Sequence, residues 1–140
     1  MATTFQTRAK LGFIKGELLA GHTYKVALFT NAFAAGAGVN GYSVTNEAAG
    51  TGYTAGGATL VGYTASNNGT KGILDWTTDP TWTITGAMSF RYAMIYDDTD
   101  IVVPDAALCI LDFGDQTVTD GIITIQFPTP DSASALLRIA

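Results

Sequence analysis

The sequence predicts an all-β fold, an antiparallel jelly-roll-like sandwich of about eight strands. Three observations carry this. Over residues 81–96 the even positions read Trp82, Ile84, Gly86, Met88, Phe90, Tyr92, Met94 and Tyr96, against Thr81, Thr83, Thr85, Ala87, Ser89 and Arg91 at odd positions. Successive strand side chains point to opposite faces, so this alternation marks a half-buried strand. Short segments rich in β-branched and aromatic residues recur every 8–20 residues between turn residues. No segment of eleven or more residues carries a 3.6-residue apolar period.

In chain order, residues 5–13 form the first predicted strand, followed by 24–30, 58–63, 72–76, 81–85, 89–96, 106–113, 121–127 and 135–139. The break near Gly86 is expected because the alternating run exceeds the usual strand of about 3–10 residues. Asn68-Gly69 and Asp120-Gly121 read as hairpin turns, since glycine accepts a positive φ. Residues 46–49 fit a single helical turn. Residues 34–57, rich in Gly, Ala and Thr, are long for a connection and read as a functional or interface loop. Two four-stranded sheets suit the strand count best.

The 140 residues fit a single domain over 1–140, with residues 1–20 an arm or edge strand. Charged residues make up 14% of the chain, where soluble domains average about 25%. One cysteine permits no internal disulfide. A net charge of −5 argues against a nucleic-acid partner, which selects basic faces. No targeting segment is read at the N-terminus, because the apolar residues 11–14 are cut short by Lys15 and Glu17. Nor does the uncharged stretch 26–46 suit a membrane, since it holds Asn31, Gly36, Gly38, Asn40 and Gly41. A soluble product made in a cytoplasm is expected.

Several motifs lose to plainer readings. Gly36 to Gly41 spells G-x-G-x-x-G, but no helix follows and no acid stands about 20 residues on, as a dinucleotide site requires. Asp112-Phe113-Gly114 lacks every other kinase element and reads as a strand end and turn. Asp97, Asp98, Asp100 and Asp105 read as a solvated acidic turn, because Val102 and Val103 stand where a calcium loop needs a ligand and a glycine. Cys109 lies in an apolar run and His22 beside a turn glycine, so neither reads as a nucleophile or its base. Asn68-Gly69-Thr70 matches a glycosylation sequon and reads as a turn. No enzyme activity, cofactor or metal is expected.

Charge is segregated along the chain. Arg8, Lys10, Lys15 and Lys25 face only Glu17 within the first 25 residues, whereas residues 75–131 hold ten Asp and only Arg91. This makes Arg8, Lys10 and Lys15, with Phe13 as apolar anchor, the candidate interface, and leaves the Asp-rich turns at 97–105 and 112–120 facing solvent.

One further pattern is the order Tyr24 to Thr30, Thr45-Asn46-Glu47, Gly50-Thr51-Gly52-Tyr53-Thr54-Ala55-Gly56-Gly57, Trp82-Thr83, Phe90 to Tyr96, Leu111 to Gly114, Ile125 to Pro128 and Leu137 to Ile139. It resembles the jelly-roll capsid cement, or decoration, proteins of tailed bacteriophages, that of a Bordetella phage included, over roughly residues 24–139. The resemblance implies a non-enzymatic virion component. It would bridge and stabilise major capsid protein subunits on the outer capsid surface, as a homo-oligomer with a dimer favoured. The alternative is a tail-associated or carbohydrate-binding jelly-roll module, with Trp76, Trp82 and the tyrosines as sugar platforms.

Overall fold

The computed structural model describes residues 2–99, 102–131 and 133–139. Strands β1 (Ala2–Phe5), β2 (Tyr24–Phe29), β3 (Ala58–Thr59), β6 (Thr81–Asp97) and β7 (Ala106–Thr124) form one sheet in the order β1-β7-β6-β2-β3. Strands β4 (Tyr63–Asn68), β5 (Lys71–Trp76) and β8 (Leu137–Ile139) form a second, in the order β4-β5-β8. Each described pairing is antiparallel. The predicted all-β sandwich of about eight strands stands, divided five and three rather than four and four.

The sheets meet through aromatic side chains. Tyr24 stacks on Tyr63 with ring centroids 5.5 Å apart and meets Trp76 edge-on at 5.4 Å, so β2 is joined to both β4 and β5. Val26, Leu28, Ala93, Ile95, Leu108 and Leu111 complete this core from the larger sheet, and Leu74 and Leu137 from the smaller. A second cluster lies on the other face of the larger sheet, where Ala27, Phe29, Met94, Tyr96, Ala107 and Ile110 pack beneath Phe33, Val39 and Tyr42. Burial on both faces explains the unbroken apolar runs of residues 26–29, 93–96 and 106–111.

Beyond that doubly covered zone, β6 and β7 continue as a ribbon buried on one face. Trp82, Ile84, Met88, Phe90 and Ile123 face the core. Thr81 meets Thr124 and Ser89 meets Thr117 on the exposed face, with oxygens 3.2 and 2.9 Å apart. This is the source of the period-two alternation.

The single strand expected over residues 58–63 is divided between β3 in the larger sheet and β4 in the smaller, and three further predictions need correction. Residues 5–13 do not form a strand: β1 ends at Phe5 and helix α1 spans Thr7–Lys15. Gly16, at φ 71, closes the helix, with its N–H bonded to the Phe13 carbonyl and that of Glu17 to the Gly12 carbonyl. Such a left-handed glycine satisfies carbonyls that the last turn leaves without partners. Second, the expected breaks are bulges inside continuous strands. Gly86 (φ 76) and Asp120 (φ 46) lie opposite one another, and the Gly86 N–H donates to Asp120 Oδ1 at 2.8 Å. Both strands therefore kink together and pairing resumes at Ala87↔Thr119. Phe113 and Gly114 likewise sit in a bulge of β7. Third, residues 46–49 form no helical turn; Glu47 bridges to Phe29. The Asn68-Gly69 hairpin is present, with Asn68 paired to Lys71 across Gly69 and Thr70.

Candidate functional site

The longest connection, residues 30–57 between β2 and β3, is fastened to the sandwich by one carboxylate. Glu47 Oε1 accepts from the Tyr53 hydroxyl at 2.6 Å and the Gly56 N–H at 2.8 Å, while Oε2 accepts from the Tyr42 hydroxyl at 2.6 Å. The buckle reaches the sheet twice. Tyr53 Oη accepts the Leu28 N–H at 2.8 Å, and Tyr96 donates to the Gly56 carbonyl at 2.7 Å while stacking on Tyr42 at 4.7 Å. Burial, and then the bond to Glu47, push both the Tyr42 and the Tyr53 hydroxyl well above the ordinary phenol range.

Glycines bring this loop onto the strands. A Cβ on Gly57 (φ 73) would lie 1.8 Å from the Val26 carbonyl oxygen, and one on Gly52 (φ 98) would lie 1.9 Å from that of Thr83. Asn46 (φ 64) donates from Nδ2 to the Ala32 carbonyl, and its own carbonyl accepts the Thr30 N–H at 3.0 Å. The Thr45–Glu47 and Gly50–Gly57 segments that carry the resemblance therefore shape one structural unit. The G-x-G-x-x-G stretch belongs to the same covering loop. Val39 packs on the outer cluster, and Gly41 pairs with Ala106 against the Asp105 carbonyl.

The four candidate interface residues all lie on α1 and divide into two pairs. Arg8 is turned inward, its guanidinium 2.7 Å from Glu17 Oε2, and Phe13 packs against Phe5 at 5.4 Å beside the core. Lys10 and Lys15 are exposed, Lys15 lying 3.8 Å from Glu17 Oε1. Between them stand two apolar residues not anticipated from sequence, Leu11 at 45% exposure and Ile14 at 84%. A helix normally buries its apolar stripe, and this one presents part of it to solvent.

The acidic turns do not simply face solvent. Asp97 is fully buried, its carboxylate 2.6 Å from His22 Nδ1 and bonded to the Thr99 N–H. Asp98 pairs with Lys25 at 2.9 Å, and Asp112 accepts two bonds from Arg91 at 3.0 Å each. The Arg91 pair and the Gly114 N–H hold the Asp112 carboxyl below the usual range. Burial, and then nearby Asp98, raise that of Asp105. Asp100 lies outside the described residues. Lys25, near the start of the chain, thus neutralises part of the acidic half internally.

Among the described residues no three His, Cys, Asp or Glu side chains gather where they could hold a metal ion. Among the same residues no helix is long and apolar enough to cross a membrane. Cys109 is buried in β7, and burial pushes its thiol up to about 12, which suppresses the nucleophilic thiolate. Trp76 and Trp82 are 4% and 7% exposed, so neither offers an open ring face.

One buried acid stands apart. Asp75 is 3% exposed, accepts the Trp76 N–H at 2.8 Å, and is raised above the usual carboxylate range by burial and by nearby Asp79. A carboxyl raised in the folded state supports folding at acidic pH, and that support is lost as pH rises through its folded pKa. Asp75→Asn keeps an acceptor for Trp76 and removes the buried charge. Its melting temperature should exceed that of the parent at pH 7, with the gap closing as pH falls through the raised folded value of Asp75 and closed below the ordinary value of 3.8. A lower melting temperature for the variant at pH 7 would contradict this.

No family model, curated protein or solved structure matches the chain.

Proposed function

We propose that the chain is a non-enzymatic decoration protein that bridges major capsid protein subunits on the outer surface of a phage shell, acting as a homodimer. The observation that carries the reading is the outward face of α1, where Leu11 and Ile14 stand exposed between Lys10 and Lys15. An apolar strip flanked by cations fits an apolar groove with an acidic rim on a shell subunit. The resemblance supplies the class of partner, and its most distinctive residues are those of the Glu47 buckle. A dimer carries two such helices. Linked weak contacts raise avidity by about 10²–10⁴-fold, which is how a small module resists separation of neighbouring subunits.

Two measurements test this. Purified particles should carry the protein in hundreds of copies over the shell; a handful at one vertex would favour a tail role. The Lys10→Glu, Lys15→Glu variant should fold normally and bind stripped capsids at least about tenfold more weakly, with a shallower salt dependence, because its screened attraction is gone. Unchanged occupancy with unchanged salt sensitivity would remove α1 as the contact.

A further inference from the structure

A cavity of about 390 Å³ opens beside β4 and β5 and the chain segment that follows β7. Its walls include Thr64, Asp75, Asp79, Phe127, Pro128 and Pro130. The size lies near the lower end of the range for small-molecule sites. Both carboxylates are fixed by backbone donors: one Asp75 oxygen takes the Trp76 N–H, and one Asp79 oxygen takes the Phe127 N–H, each at 2.8 Å. Their second oxygens take no hydrogen bond from the described residues, although Asp75 is nine-tenths buried and more.

We propose that this cavity binds an organic cation carried on an aliphatic stem, as in the ammonium of a lysine or the guanidinium of an arginine side chain. Ionised carboxylates only accept. The Thr64 hydroxyl already donates to the Gly62 carbonyl at 3.1 Å, and no Lys, Arg, His, Asn or Gln is among the described lining residues. A neutral sugar would find donors in the Thr77 and Thr129 hydroxyls, but it would bring no positive charge to the two carboxylates. A divalent cation wants six or more oxygens, and the described residues gather no cluster of that kind. An ammonium or guanidinium only donates, and supplies the positive charge that two neighbouring carboxylates lack. Phe127, Pro128 and Pro130 provide an apolar wall for the methylene stem. The upward displacement of the Asp75 carboxyl is consistent with a charge buried ahead of its partner.

The site lies apart from the α1 face and does not rest on the decoration-protein reading. The test is a titration of the ¹⁵N-labelled full chain, followed by backbone amide shifts. The probes are Nα-acetyl-lysine methylamide, Nα-acetyl-arginine methylamide, putrescine, glucose and calcium chloride. At least one amine or guanidine should shift the amides of Thr64, Trp76 and Phe127 with a dissociation constant on the order of 1–10 mM. A stronger blocked amino acid would point to a protein side chain as the natural ligand, and a stronger putrescine to a free amine. Asp75→Asn and Asp79→Asn should each weaken binding at least about tenfold, whereas Asp115→Asn, at an exposed acid elsewhere, should not. Shifts with glucose or calcium alone, shifts with no probe, or cation binding unaffected by both cavity variants would overturn the proposal. Because the parent chain is titrated directly, failure of one variant to fold leaves the test intact.

Discussion

Replacing Gly57 with alanine is expected to destabilise the protein by more than about 4 kcal/mol, the scale reserved for gross packing or backbone conflict. Two costs combine. The residue sits at φ 73, a region that alanine enters only with strain, and its new Cβ would lie 1.8 Å from the Val26 oxygen and 2.6 Å from the Val26 carbonyl carbon. Those atoms are main chain of β2, held between β6 and β3, so no side chain can swing aside to make room. With whole domains stable by only about 5–15 kcal/mol, such a loss takes much of the total. Gly52→Ala should behave similarly against Thr83, whereas Gly36→Ala, with open space around it, should change stability by no more than about 0.5 kcal/mol. Urea unfolding would separate the cases by midpoint, and a Gly57→Ala protein with the parent midpoint would refute the close approach.

How far the chain could be read from sequence depended on where the physics is local. Residues 24–29 and the Thr/aromatic alternation of β6 were legible because each strand faces a core that its own pattern records. The continuity of β6 and β7 was not. Gly86, Gly114 and Asp120 adopt the positive φ of a turn, and only pairing across the hairpin reveals that they bulge without reversing the chain. Helix α1 escaped because its nine residues fall short of the eleven needed to display a 3.6-residue period, although Gly16 after Lys15 was a stop signal in plain view. Arg8 and Phe13 looked like surface residues in a basic segment. Their inward placement depends on Glu17, beyond the helix, and on Phe5, before it.

Glu47 illustrates the same limit, since a lone acid in a Gly/Ala-rich loop announces nothing until its three donors are folded around it. Glu47→Ala is expected to cost about 3 kcal/mol, because it removes three charge-assisted bonds and leaves the two phenols without their acceptor. Glu47→Gln should cost only about 1 kcal/mol. Its carbonyl oxygen can keep the Tyr53 and Gly56 donors, while its NH₂ donates to a Tyr42 hydroxyl turned to accept. If the two variants were equally damaging, the carboxylate would matter for its charge rather than as the hub of a network. The pH dependence gives an independent check. Burial and Glu47 raise the Tyr42 and Tyr53 hydroxyls above their ordinary value of 10.0, so the folded chain holds those protons more tightly than the unfolded one. That contribution is complete below pH 10.0 and is lost as pH rises further, so the parent should lose stability in alkali. Without the carboxylate only burial still raises the phenols. Glu47→Ala should therefore lose less on the alkaline side, and its deficit against the parent should narrow over the alkaline range in which its own folded phenols ionise and those of the parent do not. Parallel urea midpoints for the two proteins across that range would show that Glu47 does not hold the phenol protons in place.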